Sequence, residues 1–440
     1  MNQSRPRPVS NAERQVVEAA LAAQAQGDLA GAERLYRALI EADSRNGIAH
    51  NNLATLLRQS GRFAGAIDHY RCALESLPDS AQIHANLADT LESLEQYEAA
   101  ESAYRRALEL DPARAEARYN YGLLLLAAGR YAQGWAHYEA RSQVFREHGS
   151  LPFARWNGED LRGKTLLLLP EQGYGDTIQF VRYVSLLKAR GVAKLSVICK
   201  PALVPLLRTV QGIDALITDP HGLQVHDYWD SLLSLPGRFG TTLESIPAQI
   251  PYVGVFTNRL EAWRARLPVD GLRVGLVWKG NPEHDNDAER SLPHFSALQP
   301  LWSVNSANSV SSVNSVRGVH FISLQVGGAE TEARQRASEQ PALCLGDQIR
   351  DFGDTAAIVG QLNLVICVDT AVAHLAGALG VACWLLLPRR GVDWRWQRSG
   401  VQSPWYPKDM YLFRQREAGW QGVIGEVRDA LADSVRERHA

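Results

Sequence analysis

Four tyrosines, Tyr36, Tyr70, Tyr104 and Tyr138, stand 34 residues apart, and no feature of this chain restricts its fold more. Gly27, Gly61 and Gly129 keep the same step, with Glu95 standing where a further glycine is due. Ala32, Ala66 and Ala100 repeat, and Gly134 continues them as another small residue. Leu53 and Leu87 form one such series, and Leu57, Leu91 and Leu125 form another. Pro78 and Pro112 close two of the units. A fixed period of this length marks a stacked array, in which each unit has an apolar face that only its neighbours can bury.

The period and its pattern of small and aromatic residues resemble the tetratricopeptide repeat (TPR) family over residues 13–148. The resemblance implies four helix–turn–helix units, with the tyrosines as packing residues. Asn52, Asn86 and Asn120 also stand one period apart. In TPR arrays this position falls on the first helix of each unit, which lines the concave face. An amide there can both donate to and accept from an extended peptide backbone. The series is similar to the asparagine ladder of O-GlcNAc transferase, so a short peptide or protein segment is the expected partner. Asparagine is also common at this position without any such role.

Composition narrows the rest. The 440 residues are 45% hydrophobic and carry a net charge of −2, which suits several globular domains and gives no electrostatic footprint for nucleic acid. No run approaches the roughly 18–20 apolar residues of a membrane span. The opening MNQSRPRPVSNAERQ lacks the apolar core of a secretory signal, and residues 1–12 read as a disordered tail. Cys72, Cys199, Cys344, Cys367 and Cys383 are odd in number and scattered, which predicts reduced thiols in a cytoplasmic protein. Residues 149–163 read as a linker that wraps the next domain with Phe153 and Trp156. SVNSANSVSSVNSV (303–316) reads as a mobile inserted loop.

From Lys164 onward, short apolar runs alternate with helical patterns. KTLLLL, KLSVICK and DALIT are expected strands of a first domain over 164–257. RVGLVWKG, HFISLQ, LVICVD and ACWLLLP are expected strands of a second domain over 258–440, which ends in a C-terminal helix. Two βαβ series of this kind predict an α/β fold of two Rossmann-like domains facing a cleft, the GT-B architecture. Ligands bind at the carboxyl ends of such strands, and the polar residues gather there. PEQGYGDT follows the first strand, with Gly173 and Gly175 for a tight turn and Asp176 at or near the helix start, where it serves either as a cap or in chemistry. WKGNPEHDNDAERSLP carries Lys279 and Arg290, and QVGGAETEAR carries Glu330. DTAVAHLAGALG places Asp369, Thr370 and His374 where a strand feeds a helix, a place suited to a phosphate-bearing ligand.

These turns together resemble glycosyltransferase family 9, the ADP-heptose:lipopolysaccharide heptosyltransferases, over about residues 164–430. DTAVAHLAGALG looks like that family's donor-diphosphate helix, and GYGDT like its Gly-Asp motif. The whole layout is similar to bacterial TPR–glycosyltransferase fusions, some of which, such as flagellin glycosyltransferases, modify proteins. The resemblance implies an inverting, metal-independent transferase with no cofactor beyond a nucleotide-sugar co-substrate, ADP-linked by analogy. Asp176 would be the base. Thr370 and the N–H groups of Ala371 and Val372 would hold the diphosphate. His374 would add a donor and, if protonated, charge. Arg290 with Lys279 would neutralise the leaving group. Glu330 would contact the ribose or base, and Asp369 would orient His374 or fix the turn. Ala371-Val372 departs from the family's Gly-Pro. GVDWRWQ (391–397) is open to two uses, ligand binding or packing against the C-terminal helix. His284, Asp285 and Asp287 read as a solvated loop, and no metal site is expected. The alternatives are a glycan acceptor with the same chemistry, and a TPR interaction scaffold whose transferase half is inactive.

Overall fold

The computed structural model describes residues 11–145, 151–304, 318–335 and 341–437. It divides into two compact units: residues 1–125 with 133–146, and residues 126–132 with 147–440.

In the first unit the helices come in pairs: α1 (Asn11–Ala25) with α2 (Leu29–Ala42), α3 (Gly47–Gln59) with α4 (Phe63–Ser76), and α5 (Ala81–Ser93) with α6 (Tyr97–Leu110). A fourth pair is α7 (Ala115–Ala127) and α8 (Tyr131–Tyr138), with residues 126–132, which include the turn between them, grouped with the second unit. Helix α1 starts inside the segment expected to be a tail, so Asn11 and Ala12 are helical; residues 1–10 lie outside the described residues. The tight turn inside each pair needs a left-handed residue, and Gly27, Gly61 and Gly129 supply it at φ 82°, 73° and 74°. Glu95 takes the same conformation at φ 61° with a side chain that disfavours it. Asp28, Asn46 and Ser80 cap α2, α3 and α5 by accepting from backbone N–H groups three residues on. Ala32, Ala66 and Ala100 are fully buried, as are Tyr36, Tyr70 and Tyr104, which gives the periodic small and aromatic residues a packing role.

The second unit contains two parallel sheets. The first has β1 (Ala154–Arg155), β2 (Thr165–Leu169), β3 (Lys194–Ile198), β4 (Ala215–Ile217) and β5 (Tyr228–Ser231), in the order β1-β5-β2-β3-β4. The second has β6 (Leu272–Val277), β7 (Val319–Ser323), β8 (Ala342–Cys344), β9 (Leu364–Val368), β10 (Cys383–Leu387) and β11 (Met410–Arg414), in the order β11-β10-β9-β6-β7-β8. Every ladder among them is parallel. The central strands are continuous apolar runs, as strands covered on both faces require.

The segment expected to be a linker is more structured than that. Ala154 and Arg155 pair with β5, Trp156 is fully buried, and its backbone N–H donates to Trp229. Most of the expected insertion, residues 305–316, lies outside the described residues, while its first two residues, Ser303 and Val304, are helical.

The strand orders show where the connections change direction. In the first sheet the chain runs outward from β2 through β3 and β4, then returns to β2's other side as β5. In the second it runs from β6 through β7 and β8, then returns beside β6 as β9. The loops leaving β2, β6 and β9 therefore border the switch points, where the connections diverge and leave a crevice.

Candidate functional site

Helix α9 (Tyr174–Phe180) follows β2, α10 (Thr257–Arg264) precedes β6, α11 (Phe352–Val359) precedes β9, and helix α12 (Ala371–Leu379) follows β9. Gly175 lets the two approach closely. A Cβ there would lie 2.7 Å from His374 Cδ2 and 3.4 Å from the Ala371 Cα. The structure thus brings together Gly175, the α12 N-terminus and His374, and with them Asp176.

Asp176 is spent on two partners. Its Oδ2 accepts from the Gly173 N–H at 2.8 Å, closing the turn, and its Oδ1 pairs with the Arg395 guanidinium. The carboxyl keeps 14% of its side-chain surface exposed. Burial pushes its pKa up, against the Arg395 charge and the Gly173 N–H, which favour the ionised form. Arg395 comes from GVDWRWQ. It also donates to Gln179 Oε1 at 2.6 Å and to Asp393 Oδ2 at 2.8 Å, and it lies between the Phe180 and Trp394 rings.

The described ring contacts of that segment's tryptophans are with other aromatic rings, and none is with the C-terminal helix α13 (Gln421–Glu437). Trp396 is fully buried and stacks on His374, with ring centroids 5.1 Å apart and planes at 23°. Trp394 packs edge-on against Trp405. Gln397, next in the chain, has φ 54° and ψ 174°, a region suited to glycine.

His374 is 6% exposed, and its Nδ1 lies 3.2 Å from the Tyr406 hydroxyl. Burial holds its pKa well below the usual histidine range, with the Arg395 and Arg182 charges adding to the shift. The imidazole is therefore neutral near pH 7 and brings no positive charge. Tyr406, and not Asp369, holds its orientation. Asp369 is crowded instead: burial and the nearby Asp393 raise its pKa to about 6, while Trp396, Arg290 and Arg395 favour its charged form.

Thr370 is the N-cap residue of α12, yet its side chain does not cap the helix, and its buried hydroxyl makes no hydrogen bond. Among the described residues, only Glu95, Gln172 and Gln397 combine a side chain with positive φ, so the Ala371-Val372 start needs no glycine. Arg290 lies 3.5 Å from Asp287, with 15% of its side chain exposed, and its charge reaches Asp369. Lys279 is turned to the Pro293 carbonyl at 2.8 Å. Glu330 is buried and paired with Arg334 at 2.9 Å. It follows β7, one strand away from the switch point, and no described contact joins it to Asp369 or Thr370. Asp287 accepts from Ser291, and no cluster of metal-ligating side chains occurs among the described residues.

In the first unit Asn52, Asn86 and Asn120 are half-buried on α3, α5 and α7. Asn120 Nδ2 donates to Asp89, which also accepts from Tyr104 Oη at 2.6 Å. Asn86 Oδ1 accepts from Gln82, and Asn52 Oδ1 from Asn51. The three amides therefore have unequal commitments, although they occupy equivalent positions.

Tyr406 and Arg182 were not singled out in the sequence. Arg182 is buried among Tyr252, Tyr406 and Trp405 and donates to the Trp405 carbonyl at 3.0 Å. Its only signal is its place shortly after the Gln179-Phe180 pair.

Together the fold and site define a tetratricopeptide array followed by an α/β unit with polar turns at its switch points. Tetratricopeptide repeat family models match residues 45–113 and 86–143, so the N-terminal region is a TPR array. Protein FlbA of Caulobacter vibrioides is 28% identical over 337 residues, which is 70% of this chain and 54% of FlbA. The chain thus spans about half the length of that relative. Among solved structures, MamA overlaps 28% of this chain and 73% of its own, at 24% identity and a TM-score of 0.27. YrrB, described as a TPR protein with an unusual peptide-binding site, overlaps 31% of this chain and 72% of its own, at 23% identity and a TM-score of 0.29.

Proposed function

We propose that the α/β unit is a GT-B glycosyltransferase that moves a sugar from a nucleoside-diphosphate sugar to a hydroxyl of a polypeptide held by the TPR array. The observation that carries this reading is the buried, unpartnered Thr370 hydroxyl at the start of a nine-residue helix beside a switch point. Arg290 on one side and Asp176 on the other supply a cation and a carboxylate. In the reaction the acceptor oxygen forms a bond to the anomeric carbon, and its proton passes to the Asp176 carboxylate. The bond between that carbon and the β-phosphate oxygen breaks, and the nucleoside diphosphate leaves with the electron pair. Attack opposite the leaving group inverts the configuration. The helix N-terminus and Arg290 offset the charge that develops on the leaving group. Neutral His374 contributes an N–H donor or a packing surface. The family resemblance favours an adenosine donor.

A second reading is favoured by one specific observation, the Trp396 ring lying on His374 while Arg395 occupies Asp176. In it the α/β unit is inactive and the chain is a TPR interaction scaffold. Calorimetric titration with ADP, UDP, GDP and CMP separates the two. One nucleotide is expected to bind saturably, and Thr370→Val and Arg290→Ala to weaken it by about tenfold each, the size of one charge-assisted contact. Thr370→Val is expected to leave stability within about 0.5 kcal/mol, because the hydroxyl it removes has no partner. If a folded protein binds none of the four, the scaffold reading stands.

A further inference from the structure

We propose that Arg395 is a positioning residue that exchanges between Asp176 and the diphosphate, so that the base is released only when the donor is in place. The inference rests on the donor-site reading above and adds an order to it: donor first, then proton transfer.

Three observations converge on the segment Asp393–Gln397. First, Arg395 is 3% exposed, and its guanidinium takes Asp176, Asp393 and Gln179 as partners. A carboxylate locked to a guanidinium is a poor proton acceptor, so Asp176 cannot act as a base in this arrangement. Second, Trp396 covers His374, and its indole N–H makes no well-formed hydrogen bond although it lies close enough to Asp369 to favour that residue's charge. A buried donor left in that condition is poorly held. Third, Gln397 has a backbone conformation that costs a side-chain-bearing residue on the order of 1–3 kcal/mol. Such strain persists where surrounding contacts impose it, and here Arg395 and Trp396 are the adjacent anchors.

Charge gives the direction of the exchange. Asp393 crowds both Asp176 and Asp369, and Arg395 acts on all three. Arg290 acts on Asp369 but is not among the largest influences on Asp176, so a diphosphate at the α12 N-terminus gains a second cation only if Arg395 turns toward it. Arg395 also acts on His374 within α12, so its charge already reaches that helix. A guanidinium N–H bonds a phosphate oxygen as it bonds a carboxylate oxygen, which makes the diphosphate and Asp176 competitors for the N–H that now holds Asp176.

A double-mutant cycle on nucleotide affinity tests this with the intact chain and ADP, UDP, GDP and CMP as probes. Asp176→Asn frees Arg395 and is expected to tighten binding of the recognised nucleotide on the order of tenfold. In an Arg395→Gln background the same change is expected to have no more than about a twofold effect, since no guanidinium remains to be freed. Equal tightening in both backgrounds would mean simple relief of charge repulsion and would overturn the exchange. So would no tightening at all, while Arg290→Ala still weakens binding; the donor site would then stand without the latch. Should neither the wild type nor Asp176→Asn bind any probe, both readings fall together. Arg395→Lys, which keeps the charge but loses the fork, covers the case where Arg395→Gln does not fold, and is expected to give a tightening between the two.

Discussion

At the second helix of the first three TPR pairs, Tyr36, Tyr70 and Tyr104 are all fully buried, and Ala32, Ala66 and Ala100 sit four residues before them, equally buried. The α/β unit has no such siblings. Its Arg395 to Asp176 pair joins residues 219 apart, its His374 has one hydroxyl partner, and its two facing helices meet at one glycine. The array repeats a packing solution, so each contact is one of several and the cost of losing it is local. The α/β unit makes each site contact once, so a change there reaches both sheets. Substitutions at single-use contacts should therefore cost more than those at repeated ones.

The largest effect is expected at Gly175. Its missing Cβ would fall 2.7 Å from His374 Cδ2, and His374 is itself held by the Trp396 stack and Tyr406, so it has little room to retreat. Gly175→Ala should destabilise the α/β unit by about 1–3 kcal/mol, read from the urea midpoint. Gly328→Ala is the control, because nothing lies within 4 Å of the Cβ it would gain. That variant should stay within about 0.5 kcal/mol of wild type. Similar losses at both glycines would break the comparison.

Next in size is a pH effect at the same place. Folding raises the Asp369 pKa from 3.8 to about 6, through burial and then the neighbouring Asp393. The folded state therefore holds the proton more tightly than the unfolded chain. The stability this gives is complete below about pH 4 and is lost as pH rises through about 6. Asp369→Asn cannot lose it. Relative to wild type, that variant should gain on the order of 1–2 kcal/mol between pH 4 and pH 8, a range held down by solvent, which partly screens the half-buried carboxyl. Asp89, Asp176 and Asp230 are shifted in the same direction, so the difference between variant and wild type is what must be read. A pH-independent difference would show that Asp369 is not crowded in solution.

The same contrast explains what the sequence made legible. The array was visible because equivalent positions show the same requirement repeatedly, and the central strands because Leu167, Leu168 and Val365 are fully buried members of continuous apolar runs. Strand β5 was hidden because Tyr228–Ser231 carries Asp230, which is fully buried yet satisfied by Arg155 at 2.9 Å and Arg238 at 2.7 Å. Hydrophobic patterning cannot see a strand whose buried centre is an ion-paired acid. At the site, the polar turns after β2, β6 and β9 were readable from residue type. Their partners were not, because pairing across 219 residues leaves no local trace. GVDWRWQ stood out by composition, but nothing in its order says that Arg395 turns to Asp176 while Trp396 turns to His374. Glu330 and Lys279 stand in polar segments after strands, yet each is engaged elsewhere, by Arg334 and by the Pro293 carbonyl.

The smallest effect belongs to the repeated side of the comparison. Glu95 holds at φ 61° the turn position that Gly27, Gly61 and Gly129 fill in the other pairs. A left-handed conformation costs a residue with a Cβ roughly 1–2 kcal/mol, and glycine gives back part of that by losing more freedom on folding. Glu95→Gly should therefore stabilise the array by about 0.5 kcal/mol. The converse, Gly61→Ala, isolates the backbone cost, because the added Cβ would meet nothing within 4 Å. It should destabilise by about 1 kcal/mol, well below the change expected at the crowded Gly175. Helical unfolding followed by circular dichroism reads both. If Gly61→Ala cost as much as Gly175→Ala, the contrast between repeated turns and single-use contacts would fail, since a turn with open space around it would then be as constrained as the junction of α9 and α12.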